Sequence, residues 1–282
     1  MPVIVSLLAA FAAAALFGVA SALQAYAART EPPDSGVRGL LRVVLRWPYL
    51  LGLACDLGGF VAEIVALRGL PLFVVQAAVA GSLAVTAVVA VPLLAARLSV
   101  DEWIAVSGVC VGLAAVGFSA GTEGTPTVGP AFRWGLAVAT GVLIAAAWAA
   151  TRLPDRARRP ALGLAGGLGF GIVAIAARIL PGLAPAHLVR DPAAYLVVVA
   201  GVTAFAAFTT ALRTGAVAAA TAAMVLGESV VPSAVGVLLL GDTTRPGYWP
   251  VAAGGFALAV ASALFLSRFG EPASVSADVG VR

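Results

Sequence analysis

The chain has 282 residues, 61% of them hydrophobic and 11% charged, with a mean hydropathy of +1.05 and a net charge of +4. Soluble domains carry about 25% charged residues, so this composition excludes a water-covered globular surface and predicts one that faces lipid. All 17 basic residues are Arg, and the lack of Lys excludes a retinal Schiff base or a Walker-type phosphate lysine.

A membrane-crossing helix needs about 20 apolar residues. In chain order, the runs predict spans at Val3–Ala28, Tyr49–Arg68, Leu72–Ala96, Trp103–Gly121, Phe132–Ala150, Ala161–Leu180, Tyr195–Leu212, Ala216–Leu240 and Tyr248–Phe269. The runs are continuously apolar, without the alternation of a lipid-facing strand, so the expected fold class is an all-α polytopic helix bundle. The first span ends in Ala25-Tyr26-Ala27, which has the form of a signal-peptide cleavage site. No basic residue precedes it and its apolar stretch is too long for a signal peptide, so a retained helix is expected. Arg residues collect after the odd-numbered spans, most densely at Arg38–Arg46 and Arg152–Arg159. The positive-inside rule then places the N-terminus outside and the C-terminus in the cytoplasm of the plasma (cell inner) membrane.

The chain repeats itself. Ala66-Leu67-Arg68 ends the second span and Ala211-Leu212-Arg213 ends the seventh, and each is followed by a long apolar run. Phe17-Gly18 matches Phe170-Gly171, Tyr49 matches Tyr195, and Trp103 matches Trp249. The expected organisation is a four-helix unit (residues 1–121), a linking helix and loop (122–160), a second four-helix unit (161–269) and a tail (270–282). An odd helix between the units inverts the second against the first, the arrangement common in secondary transporters.

Acids inside a bilayer are costly and are functional candidates by default. Glu228 lies about 18 Å from either end of its span, too deep to snorkel. Pro232, four residues on, deprives the Glu228 carbonyl of its helical N–H partner, which predicts a locally opened helix with a carboxylate and a free carbonyl. The alternative is a Glu228 kept neutral or paired with Arg178. Asp56 and Glu63, seven residues apart, share a helix face with Gly52 and Gly59 and read as a cavity lining. Glu63 can equally form an ion pair with Arg68. Gln76 offers an amide to a solute or an interhelical hydrogen bond. Gly163, Gly167 and Gly171 read as a close-packing stripe, Arg178 as an interfacial anchor, and Cys55 and Cys110 as reduced packing residues. His187 is too isolated for a metal cluster, and no nucleophile–base pair or phosphate loop is visible, so an enzyme is not expected.

The stretch from Ala66-Leu67-Arg68-Gly69-Leu70-Pro71 to Gln76 and on to Arg97-Leu98 resembles the drug/metabolite transporter superfamily. Glu228 followed by Gly236-Val237-Leu238-Leu239-Leu240-Gly241-Asp242 is similar to that family's second-half ending, with Asp242 in place of its final Glu. The nine-span layout with an outside N-terminus is similar to the NIPA-type magnesium transporter branch. The chain departs from the pattern at Ala96, where the family has an acid, and at Pro232, which does not directly follow Glu228. The resemblance implies a transporter moving a small solute such as magnesium by alternating access.

The expected substrate-binding residues are therefore Glu228, Asp56, Glu63 and Gln76, with Glu228 and Asp56 as ligands should the solute be a metal ion. No resident cofactor is expected; Mg2+ or a coupling proton would be cargo. The expected partners are the lipid bilayer and a small solute or cation, not nucleic acid, together with further copies of the chain in a homo-oligomer. Two alternatives stay open: a proton-coupled exporter of an organic metabolite or drug, and a non-transporting membrane scaffold.

Overall fold

In a computed structural model of the chain, the structure describes residues 3–29, 45–94, 98–124, 128–180, 191–212 and 217–267. The readings made above for Ala96, Arg97, His187, Arg213 and the tail from Gly270 lie outside them. The described residues form ten helices: α1 (Val3–Arg29), α2 (Trp47–Ala66), α3 (Leu72–Ala80), α4 (Ser82–Leu94), α5 (Val100–Ser119), α6 (Pro130–Ala150), α7 (Asp155–Ile179), α8 (Pro192–Leu212), α9 (Val217–Leu239) and α10 (Trp249–Leu266). Together α3 and α4 make one span, so nine spans long and apolar enough to cross a membrane are found among the described residues. The protein is an all-α integral membrane bundle.

The surface agrees with that assignment. Large apolar side chains such as Leu8, Phe11, Ile104, Val138, Val142 and Leu238 point outward along the helices. In a bilayer this exposure carries no penalty, because lipid tails are as apolar as Leu. Trp47, Trp103, Trp134, Trp148 and Trp249 are all exposed and all lie toward helix ends, as indoles do at the membrane–water interface. The Arg152 guanidinium stacks 3.6 Å over the Trp148 ring.

Helix packing follows one scheme twice. α1 packs on α2 and on the α3–α4 span, while α7 packs on α8 and α9. The halves meet through α3 against α9 and α5 against α10. Exchanging the first four spans for the last four maps these pairs onto one another. α6 packs on α7 and α8 only among its principal contacts, so the linking helix belongs spatially to the second half.

Small residues set how close the helices come. A side-chain carbon on Gly163 or Gly167 would collide with the backbone of Ala220 or Met224 on α9, and one on Gly171 would lie 2.8 Å from Pro232 Cγ. The glycine stripe is thus a packing surface, as its spacing predicts. On the first-half side, Gly18 admits Val85 and the Ser82 carbonyl of α4 in the same way.

Two expectations about helix continuity are exchanged. α9 runs as an α-helix straight through Pro232, so the predicted local opening beside Glu228 does not occur. The interruption falls instead at Gly81, between α3 and α4, where the sequence predicts one unbroken run. There Ala84 N–H bonds back three residues to the Gly81 carbonyl (3.0 Å), a tighter turn than α. A side chain on Gly81 would sit 2.8 Å from Leu113 of α5, so the turn forms where a neighbouring helix presses against the backbone.

Candidate functional site

The short connection between α2 and α3 organises the polar interior. Leu67, Leu70, Pro71 and Leu72 are all buried, so this turn lies inside the protein rather than on its surface. A buried turn leaves backbone groups that no water can satisfy, and here side chains from the other half satisfy them. Arg178, in the last turn of α7, donates through Nη1 to the carbonyls of Leu67 and Leu70 (3.2 Å to the latter). Its Nη2 donates to the Gly124 carbonyl and to Asp242 Oδ1, each at 3.3 Å. Asp242 in turn accepts from Leu72 N–H (2.6 Å) and Gly124 N–H (2.9 Å). It therefore caps the first free N–H of α3 from a distant part of the chain and meets the positive end of that helix.

Local sequence explains how Asp242 reaches this position. Gly241 takes a left-handed conformation (φ 76°) just past α9, which glycine adopts without steric cost. The chain turns back so that Asp242 N–H meets the Gly236 carbonyl at 2.9 Å. Gly236 leaves room for the carboxylate, since a side-chain carbon there would lie 2.7 Å from Asp242 Oδ2. The strand-like pairing of Ala120 with Thr244 then ties the end of α5 to the α9–α10 connection. Arg178 and Asp242 are each only 3% exposed. Arg178 is thus a buried clamp and not the interfacial anchor its position near a span end suggests. Its carboxylate partners are Asp242 and, at 3.6 Å, Glu123; it does not pair with Glu228.

Beneath this clamp lie three of the four predicted site residues. Glu63 sits in the last turn of α2 and is buried. Gln76 is fully enclosed on α3 and is the polar side chain facing Glu63. The two face each other without closing a short hydrogen bond, because both amide atoms of Gln76 lack a partner. Glu228, half-buried near the middle of α9, is reached by the charge of Glu63. The alternative of a Glu63–Arg68 ion pair is not the arrangement found: Arg68 Nη1 donates to the Leu180 carbonyl at 2.6 Å, and Arg68 and Arg178 repel across the junction. Among the described residues neither Glu63 nor Glu228 has a cationic partner.

Asp56 stands apart from this group. It points toward α1, where Gln24 Nε2 donates to its carboxylate at 2.5 Å. Gly52 and Gly59 face the same helix, as the contacts of added side chains with Gln24 and Phe17 show. The shared face of Asp56, Gly52 and Gly59 is therefore an α1–α2 contact at this level. Among the described residues, no three His, Cys, Asp or Glu side chains are grouped to hold a metal ion. Cys55 and Cys110 are free thiols.

Comparisons of the chain with protein families, with characterised proteins and with solved structures give no match.

Proposed function

We propose that the protein is a secondary transporter that carries a small cationic solute past Glu63, Gln76 and Glu228 by alternating access. The observation that supports this is the location of the group. Two carboxylates without a cationic partner among the described residues, and an amide with both polar atoms unpartnered, gather around α3, which faces Glu63 of α2 within its own half and meets α9 of the other. Buried polar groups are otherwise hydrogen-bonded, with few exceptions, and intramembrane acids mark solute or proton routes. A site shared by two halves that pack alike is one that rocking of the halves can expose to either side in turn.

Magnesium is the first cation to test. It binds through one or two carboxylates and keeps several waters, so it needs no dense ligand cluster. The resemblance to the drug/metabolite transporter superfamily, and to its NIPA-type branch, points the same way. In the orientation set by the Arg distribution, the end of the bundle where α1 begins faces outside and the site would load from the cytoplasm. A second reading is proton-coupled export of an organic cation, with Glu228 ionised in one state and protonated in the other. It is favoured by the separation of Asp56, which leaves Glu63 and Glu228 as the acids of the group.

Magnesium flux into proteoliposomes, measured with and without a pH gradient for the native protein and Glu228→Gln, separates these readings. Flux in the native protein that the substitution abolishes, without proton movement, supports a cation site. Proton movement driven by an organic cation, with no magnesium flux, supports the second. Absence of any flux, with cellular function intact in Glu228→Gln, would leave the scaffold.

A further inference from the structure

We propose that Arg178 and Asp242 form the clamp that closes one membrane face over Glu63 and Gln76, and that its release opens that face. This inference rests on the transporter reading above. The face in question is the end of the bundle where α1 begins and where α2, α5, α7 and α9 finish.

Three observations carry it. First, the clamp joins the halves. Arg178 and Asp242 belong to the second half, and their partners Leu67, Leu70, Leu72 and Gly124 lie in the first half and the segment that follows it. Second, those partners include the turn that connects the helix of Glu63 to the helix of Gln76. Moving the turn must move both side chains, so Arg178 and Asp242 are positioning residues for the site. Third, the closure is layered. Above the ion pair, Gly121 N–H bonds to the Thr243 carbonyl and Thr243 N–H to the Thr122 carbonyl, both at 3.1 Å. Arg245 Nε adds a bond to the Ala120 carbonyl at 3.2 Å.

The chemistry suits a switch more than a rivet. A buried ion pair gains little net stability over an apolar packing, yet losing one partner is costly because the other charge is stranded. Arg178 and Asp242 therefore separate as a unit, when both can be rehydrated by water entering from the open face. Removing one of them destabilises the closed arrangement selectively. The opposite end of the bundle carries local contacts among its described residues, such as the Ser99–Glu102 capping box of α5 and the Arg152–Trp148 stack.

The test is accessibility, which does not require transport to be detected. In a Cys55→Ser/Cys110→Ser background, Phe73→Cys places a thiol on α3, buried directly below the clamp. A membrane-impermeant maleimide applied from the α1-start side should modify it slowly. Adding Asp242→Asn should raise the modification rate about ten-fold or more. An unchanged rate in a folded Asp242→Asn protein overturns the clamp.

A second variant covers the case in which Asp242→Asn does not fold. Ala120→Cys with Thr244→Cys should cross-link, since paired strand residues lie close enough for a disulfide. The cross-link should slow labelling of Phe73→Cys further and stop magnesium or proton flux, and reductant should restore both. Undiminished labelling and flux in the cross-linked protein overturn the proposal. If the native protein shows no flux, the transporter reading falls while the labelling result still decides whether the face opens here.

Discussion

The two halves of the bundle share a packing plan but put it to different uses. In the second half, α7 lies against α9 with backbone on backbone: Gly163, Gly167 and Gly171 accept Ala220, Met224 and Pro232, and Gly227 answers from the other side. In the first half, α1 meets α4 closely at Gly18, with Thr86 Oγ1 donating to the Gly18 carbonyl at 3.2 Å. Of the most apolar window of α7, 72% is buried, against 33% for α1. The predicted site residues divide the opposite way. Asp56, Glu63 and Gln76 belong to the first half and Glu228 alone to the second. The contrast puts the closest backbone packing in one half and three of the four predicted site residues in the other.

The comparison can be broken most directly at the closely packed half. Gly167→Leu should prevent α7 and α9 from docking, a loss larger than the 1–3 kcal/mol or so typical of overpacking, because backbone atoms occupy the space. Detergent-extracted protein should lose its monodisperse peak in size-exclusion chromatography; a variant as stable as the native protein would show that this contact is not the pivot. The chemical half should respond differently. Glu63→Gln is expected to keep the thermal transition close to native while reducing flux at least about ten-fold, as loss of a single buried charge from a site would do. Asp56→Asn should have the smallest effect, costing about 1 kcal/mol or less of stability through a weaker bond from Gln24, with flux nearly unchanged. Flux lost equally in Asp56→Asn and Glu63→Gln would return Asp56 to the site.

The fold was largely legible before the structure because hydrocarbon thickness and continuous apolar runs leave few alternatives. Span limits differ by only a few residues, as between Tyr49–Arg68 expected and Trp47–Ala66 observed for α2. The glycine stripe was also legible, since its four-residue spacing maps directly onto one helix face. The break at Gly81 was not, because it depends on pressure from Leu113, which sequence spacing does not reveal. Pro232 misled in the opposite direction: it lacks the N–H, but the tight seat against Gly171 holds α9 in helical form.

The candidate site was half legible. Apolar surroundings single out Glu63, Gln76 and Glu228 as soon as the spans are drawn. The clamp escaped because its members lie 64 residues apart, and Arg178, near a span end, looks like any residue able to reach water. One signal was present in the chain: Gly241 before Asp242, which turns an acid back under the helix it has just left. The separation of Asp56 from Glu63 was hidden for a related reason. Its partner Gln24 is 32 residues away on α1, and sharing a face with Glu63 says nothing about which neighbour covers each end of that face.

The tryptophans of α6 set a length that the rest of the bundle must respect. Trp134 and Trp148 are both exposed on this one helix, and the rise of an α-helix puts their backbones about 21 Å apart. The hydrocarbon core of an ordinary bilayer is about 30 Å thick. Tilting the helix would only shorten the projected distance, so both indoles come nearest to their interfaces when α6 stands upright. Lengthening the acyl chains would load this helix at both ends and, through its contacts, pull first on α7 and α8. Membrane thickness thus bears first on α6 and on the two second-half helices it packs against.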